Sequence, residues 1–152
     1  METIASGPVF VYYKHIETNL KEISQFVGST PQQLLHEAEA SGCVVCGPQI
    51  WHYEGMDGNP DTKFELDICL PIDESSQSDS SNTKNLEGLQ CISAMVNGPW
   101  SNLKEAYDNL SKTIASKGMK PTFICREIYH TVDFNNPENC ITEIQMGVNK
   151  SY

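Results

Sequence analysis

The residues that could do chemistry are concentrated in one short segment, Phe123-Ile-Cys-Arg-Glu-Ile-Tyr129. Side chains alternate between the two faces of a strand, so Phe123, Cys125, Glu127 and Tyr129 are predicted to share one face. Glu127 would then be a carboxylate among apolar and aromatic neighbours. Three interpretations remain open: an exposed acid on a half-buried strand, an acid paired with Arg126 or a lysine, or a ligand-facing acid on a pocket floor. The last would serve a bound cation or a proton transfer.

Aromatic side chains with polar tips form the second candidate group. Trp51 and Tyr53 share one face of an earlier predicted strand, Tyr13 lies in the first strand and Trp100 at the start of a helix. Such rings can line an apolar pocket and hold flat or cationic ligands by stacking and cation–π contact. Tyr107 lies on the apolar stripe of that helix, and we interpret it as a core residue.

Metal and cofactor chemistry find little support in the sequence. The four histidines show no ligand spacing, and no P-loop, GxGxxG or GxSxG motif is present. Cys43-Val-Val-Cys46 follows a predicted helix and enters a strand, the reverse of the order in thioredoxin-like motifs. We therefore expect no metal and no cofactor. The cysteines are expected to be reduced thiols, mostly in buried strands: Cys43, Cys46, Cys69, Cys91, Cys125 and Cys140.

Length and charge exclude several classes of function. The 152 residues suit one domain, and 20 acidic against 10 basic residues give a net charge of −10. A surface of that sign repels nucleic acid and anionic membranes. There is no apolar run of about 18 residues and no secretory signal in METIASGPVFVYY, so we expect a cytoplasmic protein.

Periodicity predicts strands, helices and one linker. The predicted strands cover about residues 9–13, 43–53, 64–71, 89–96, 122–131 and 140–148, and the predicted helices cover 19–27, 30–41 and 99–117. Thr30 is expected to cap the second helix, and Gly42 to end it. Residues 73–85 contain no apolar side chain and are predicted to be a mobile, Ser-rich linker.

The sequence also contains an internal repeat. Asn19-Leu-Lys-Glu22 recurs as Asn102-Leu-Lys-Glu105, and three shorter matches follow in the same order. We predict one α+β domain over 1–152, built from two pseudo-symmetric βαββ repeats at about 6–72 and 86–149. The sheet would be largely antiparallel, with the helices on one face and a central ligand groove between the repeats. The other face would have to be covered or polar.

Several short motifs resemble a known family. They are Asn97–Leu103, Glu105–Tyr107, Lys120-Pro121, Glu127–Tyr129, Asn136-Pro137 and Thr142–Ile144. The chain resembles the GyrI-like small-molecule-binding domain, the effector-binding domain of AraC-type and MerR-type multidrug regulators. The resemblance implies a groove for lipophilic, aromatic or cationic compounds, with Glu127 facing the ligand beside Tyr129 and Trp100 at the helix-start aromatic position.

Three functions follow as hypotheses. The first is a stand-alone module that binds or sequesters a small lipophilic or cationic molecule. The second is a hydrolase of reactive cyclopropane-bearing compounds, with Glu127 as general base and Tyr129 or Tyr53 as its helper. The third is a protein-interaction module of the gyrase-inhibitor kind. Only a few residues precede the first predicted strand, which leaves no room for a helix-turn-helix, so we expect no direct nucleic-acid binding.

Overall fold

A computed structural model describes residues 3–27, 29–75 and 82–149 of the chain. The strands are β1 (Thr3–Ser6), β2 (Val9–Thr18), β3 (Ile50–Glu54), β4 (Phe64–Pro71), β5 (Thr83–Leu86), β6 (Leu89–Asn97), β7 (Lys120–Thr131) and β8 (Ile141–Asn149). The helices are α1 (Ile23–Val27), α2 (Thr30–Ala40) and α3 (Leu103–Ser116). Two 3-10 turns, Trp100–Asn102 and Pro137–Asn139, precede α3 and β8.

All eight strands lie in one antiparallel sheet of order β1-β6-β8-β7-β3-β4-β2-β5. The strand order is symmetric about its centre. Counted inward from the two edges of the sheet, β6 occupies the same position in the second copy as β2 in the first, β8 the same as β4, and β7 the same as β3. The pair β3–β7 therefore lies on the pseudo-two-fold axis, where the two copies meet. This arrangement confirms the predicted α+β fold with its largely antiparallel sheet.

The outermost strands are exchanged between the two copies. β1 leads directly into β2 but pairs with β6, whereas β5 leads into β6 but pairs with β2. The two short connections, Gly7-Pro8 and Glu87-Gly88, consequently meet: a Cβ added to Gly88 would lie 3.0 Å from the carbonyl oxygen of Ser6. The sheet is curled into a half-barrel. This crossing of the connections and the right-handed twist of the strands both favour that curl.

Both longer helices pack on the same face of the sheet, as predicted. Leu34 and Ala38 of α2 belong to an apolar cluster with β4, and Leu110 and Ile114 of α3 belong to a cluster with β6 and β8. The apolar stripe of α3 accounts for its position, because its two buried residues lie one helical turn apart. We call this side of the sheet the helix face.

The opposite face lies inside the curl, and we call it the inner face. It contains a small apolar cluster of Val11, Ile50, Cys69 and Leu86. Buried polar residues share this face, among them His52, Asp67, Arg126 and Gln145. The sequence predicted that this face would be covered or polar, and it is both. The buried polar residues make it polar, and Leu86 of the edge strand β5 covers part of it.

The structure corrects two of the predicted elements. The helix expected over 19–27 is reduced to α1, and the Asn19 side chain accepts a hydrogen bond from the backbone N–H of Glu22 at 2.8 Å, just before this helix begins. The strand expected over 43–53 begins only at Ile50, apart from one bridge between Val45 and Ile72. Pro48 explains the late start, because proline has no N–H to donate to a neighbouring strand.

Helix α2 begins at Thr30, and Ser29 rather than Thr30 is its N-cap. The Gln33 side chain donates a hydrogen bond to the Ser29 hydroxyl at 3.0 Å, which joins the cap residue to the first turn of the helix. Gly42 follows the end of the helix with a φ of 84°, as predicted for a residue in this position.

Two edge strands were not predicted. β1 lies at the very start of the chain, and β5 occupies Thr83–Leu86, which overlaps the end of the predicted linker. Leu86 anchors β5 because it is buried against β2. Residues 76–81 of the predicted linker lie outside the described residues.

All six cysteines are free thiols, and only Cys46 is exposed. Burial raises the pKa of the Cys69 and Cys125 thiols to about 12, so these two are inert apolar side chains at neutral pH. Within the described ranges, no helix is long and apolar enough to cross a membrane.

Candidate functional site

Glu127 lies on the helix face of β7, opposite Trp51 of β3, at the centre of the sheet. Only 6% of its surface is exposed. Strand alternation accounts for its direction, because Cys125 and Tyr129 are two residues away on either side and point to the same face. The predicted ligand-facing acid is therefore buried where the two copies meet.

Three tyrosine hydroxyls donate hydrogen bonds to the Glu127 carboxylate. Tyr53 of β3 donates to Oε1 at 3.1 Å and Tyr129 of β7 donates to the same oxygen at 2.5 Å. Tyr107 of α3 donates to Oε2 at 2.6 Å. The carboxylate is thus held from three elements, and its orientation is fixed.

The tyrosines keep their protons in this environment. Burial, reinforced by the adjacent charge of Glu127, raises the pKa of Tyr53, Tyr107 and Tyr129 well above that of an exposed phenol. The rings of Tyr107 and Tyr129 are partly exposed, but their hydroxyls lie against the buried carboxylate. All three phenols therefore remain hydrogen-bond donors through the neutral pH range.

Glu127 makes no ion pair with any described residue. The interpretation that it pairs with Arg126 is wrong, because Arg126 is on the inner face and its Nε donates to Nδ1 of His52 at 3.0 Å. Adjacent residues of a strand point to opposite faces, so the two charges cannot meet. The site therefore holds a buried negative charge stabilised by neutral donors.

Aromatic rings form a rim beside the carboxylate. The Tyr129 ring contacts Trp51 edge-on at a centroid distance of 5.4 Å and Trp100 at 5.8 Å. Trp100 in turn contacts Phe134 at 5.8 Å. Phe134 is 76% exposed and Trp100 41% exposed, so the rim presents aromatic surface to solvent. We call Trp51, Trp100, Tyr129 and Phe134 the aromatic rim.

The structure brings together five of the six predicted site residues: Glu127, Tyr129, Tyr53, Trp51 and Trp100. Tyr13 is the exception. It lies on the inner face, where the Lys84 ammonium is 4.3 Å from its ring centroid. The sheet separates it from Glu127, so its inclusion in the same pocket is not supported by its position.

Two residues of this site were not predicted. Tyr107 was assigned to the core; its ring does pack there, but its hydroxyl reaches Glu127. The sequence feature that could have indicated Tyr107 is its hydroxyl, the only polar group on an otherwise apolar helix stripe. A buried tyrosine hydroxyl needs a hydrogen-bond partner. Phe134 lies in the turn between β7 and β8, and nothing in its sequence neighbourhood indicates contact with Trp100.

The comparisons with known proteins identify the family. The family model described as the GyrI-like small molecule binding domain matches residues 8–149. The chain belongs to this family and is a small-molecule-binding domain related to the effector-binding domains of regulators. No curated protein sequence matches the chain significantly.

Solved structures share this fold at low sequence identity. The EcmrR C-terminal domain is 18% identical with a TM-score of 0.76, over 99% of this chain and 97% of that one. In an EcmrR–DNA complex the match has a TM-score of 0.79 at 17% identity and covers 99% of this chain but 57% of that chain.

Two further structures are similar over nearly the whole chain. SAV2435 bound to tetraphenylphosphonium is 14% identical with a TM-score of 0.65, over 97% of this chain and 93% of that one. A hydrolase from Listeria innocua is 16% identical with a TM-score of 0.56, over 97% and 91%. At such identities the likeness extends to the fold alone.

Proposed function

We propose that this domain binds lipophilic, aromatic cations over Glu127, between the two repeats. The observation that carries the proposal is the buried Glu127 carboxylate, which has three hydroxyl donors but no ion pair among the described residues. Burying a charge without an opposite charge is costly, and a bound cation would supply the missing one. The site is thus arranged to gain more from a cationic ligand than from a neutral one.

The aromatic rim supports a ligand that is both flat and apolar. Ring faces attract a cation through their quadrupole, and ring edges and faces pack against aromatic ligands. Trp100 and Phe134 are already exposed, so a ligand can contact them without unfolding any element. Because tyrosine rings cover Glu127, the ligand must displace at least one of the three hydroxyls to reach the carboxylate.

A related structure supports the same ligand class. SAV2435 was solved with tetraphenylphosphonium, a lipophilic cation with four aromatic rings. That finding concerns SAV2435, and its fold is the one described above. Tetraphenylphosphonium is therefore a suitable first probe for this chain.

The test is a titration with tetraphenylphosphonium, followed by tryptophan fluorescence. Trp51 and Trp100 are the only tryptophans of the chain and both belong to the rim, so binding should quench the signal. We expect Glu127→Gln to weaken binding by about tenfold or more, which corresponds to about 1.4 kcal/mol of lost charge interaction. Triphenylphosphine oxide, a neutral aromatic probe, should bind both proteins with similar affinity.

The matched control is Glu65→Gln. Glu65 is an exposed residue of β4, and its substitution changes the net charge by the same amount. It should leave the affinity for tetraphenylphosphonium unchanged. Equal weakening by both substitutions would mean that the overall negative charge, rather than Glu127, attracts the cation.

One observation favours hydrolysis as a second candidate function. Oε1 of Glu127 receives two hydrogen bonds but Oε2 receives one, so Oε2 retains a lone pair that could accept a proton from water. The same Glu127→Gln protein separates the two functions. Incubation with an electrophilic cyclopropane compound should give product with the wild type and none with Glu127→Gln if the domain is a hydrolase.

A further inference from the structure

The inner face contains a cavity, which the sheet separates from Glu127. Its volume is about 150 Å³. It lies under the connection from β5 to β6, so the edge strand and the curl of the sheet form its walls. Its polar lining residues are His52, Glu54, Lys84, Asn85, Glu87 and Arg126.

Arg126 is the most deeply buried charged residue that lines this cavity, with 2% of its surface exposed. Its Nε donates to Nδ1 of His52 at 3.0 Å, and its Nη2 donates to the carbonyl oxygen of Glu87. Burial lowers the pKa of His52, so this imidazole is neutral at pH 7. Both acceptors of the guanidinium are therefore uncharged groups.

A guanidinium has five N–H groups, and three of those of Arg126 have no hydrogen-bond partner among the described residues. It also makes no ion pair with them. Of the acids near this guanidinium, Glu87 is exposed, and Asp67 and Glu54 have other partners. Asp67 accepts from Lys84 at 2.5 Å and contacts His15 at 2.6 Å, while Glu54 contacts Nε2 of His52 at 3.1 Å.

We propose that this cavity binds a small oxyanion, a carboxylate or phosphate group, on the unused N–H groups of Arg126. The planar fork of a guanidinium matches two oxygens of such a group, and the resulting bidentate pair is strong when water is excluded. A cavity of about 150 Å³ accommodates a group of this size but not a large aromatic compound. The site is distinct from the one over Glu127 and takes a ligand of opposite charge.

Glu54 determines how tightly the anion binds. It lines the same cavity, and its side chain is 52% exposed. A carboxylate near the entrance repels an incoming anion, although its hydrogen bond with His52 holds it on that imidazole. Removal of this charge should therefore strengthen anion binding, whereas removal of the Arg126 charge should weaken it strongly.

The test is a titration of the whole chain with inorganic phosphate, and separately with acetate, followed by the 15N–1H resonance of Arg126 Nε. We expect a saturable shift of this resonance by at least one of the two anions, with a dissociation constant of about 1 mM or tighter. Sodium chloride at the same ionic strength should produce no saturable shift. This measurement needs no variant, so it stands even if Arg126 is also required for folding.

Three variants sharpen the result. Arg126→Met should weaken binding by tenfold or more, Glu54→Gln should strengthen it by roughly threefold, and Glu127→Gln should leave it unchanged. The last outcome separates this site from the lipophilic-cation site. No saturable shift with phosphate or acetate, or an equal shift with chloride, would overturn the proposal.

Discussion

Arg126 and Glu127 are consecutive residues of β7 whose side chains belong to two different sites. They are neighbours in sequence with opposite charges, yet alternation along β7 places them on opposite faces, so they do not neutralise each other. Glu127 is stabilised by phenolic hydroxyls, and Arg126 by an imidazole and a carbonyl oxygen. Both side chains are charged groups held in place by neutral hydrogen-bond partners. In each case a bound ion of opposite charge could neutralise the side chain.

At this scale the tyrosines around Glu127 predict an alkaline loss of stability. The pKa of Tyr53, Tyr107 and Tyr129 is raised in the folded chain, whereas unfolded tyrosine ionises near pH 10. Below pH 10 their stabilisation is intact. Above it the unfolded state releases protons first, so stability falls by up to about 1.4 kcal/mol per pH unit for each phenol.

The measurement combines denaturant unfolding across this pH range with the absorbance of tyrosinate. We expect the three tyrosines of this cluster to titrate late in the folded protein. Tyr107→Phe should reduce that number by one and make the fall in stability less steep. If all phenols of the folded protein titrated together near pH 10, the hydrogen-bonded cluster would be contradicted.

At the scale of an element, an irregularity in β7 positions the site. Pro121 pairs with Val148 and Cys125 with Met146, so β7 contains two extra residues between these pairs. Phe123 lies within this bulge with a φ of 62°, unusual for a residue with a side chain. The simple alternation predicted from Phe123 onward therefore holds only from Cys125, which is where the site residues begin.

Gly147 makes this bulge possible, which gives an element-scale prediction. A Cβ at this position would lie 2.7 Å from the carbonyl oxygen of Ile124 and would collide with Thr122. Gly147→Ala should therefore lower the free energy of unfolding by roughly 1–3 kcal/mol, as overpacking does. Because the displaced bulge continues into Glu127, the affinity for tetraphenylphosphonium should fall as well.

Gly7→Ala is the control, since a Cβ there meets no atom within 4 Å. We expect it to change stability by less than about 0.5 kcal/mol, as measured by urea unfolding. Equal effects of the two substitutions would show that backbone entropy, rather than the contact with the bulge, decides the outcome.

At the scale of the whole molecule, the two repeats depend on each other. β1 of the first copy pairs with the second, β5 pairs with the first, and β3 joins β7 across the axis. The Glu127 site is shared in the same way, because Tyr53 and Trp51 come from one copy and Tyr107 and Tyr129 from the other. Each half alone would expose unpaired strand edges on its central strand.

We therefore expect fragments 1–75 and 82–152 not to unfold cooperatively when separate. Mixing them should restore a cooperative thermal transition and quenching by tetraphenylphosphonium, because both the sheet and the site need strands from both halves. The full chain at the same concentration serves as the reference. Cooperative melting of either fragment alone, at the temperature of the full chain, would contradict the interdependence of the two copies.

The parts that the sequence predicts well are those encoded locally. β4 and the body of α3 follow from alternation and from one apolar stripe, and the repeat follows from letters that recur in order. Edge strands β1 and β5 were missed because each is short and acquires its partner from the distant copy. Their strand conformation comes from pairing, which short segments do not encode.

By itself the sequence determined the two βαββ repeats and the shared face of Cys125, Glu127 and Tyr129, and it named Trp51, Tyr53, Trp100 and Tyr13 as one group of candidate site residues. Tertiary structure alone decided that Tyr107 and Phe134 join this group, that Tyr13 does not, and that Arg126 lines a separate cavity. The physical reason is the distance along the chain over which each kind of interaction acts. Alternation and periodicity act over a few residues, whereas these contacts depend on how the sheet curls and on which strands meet at its centre.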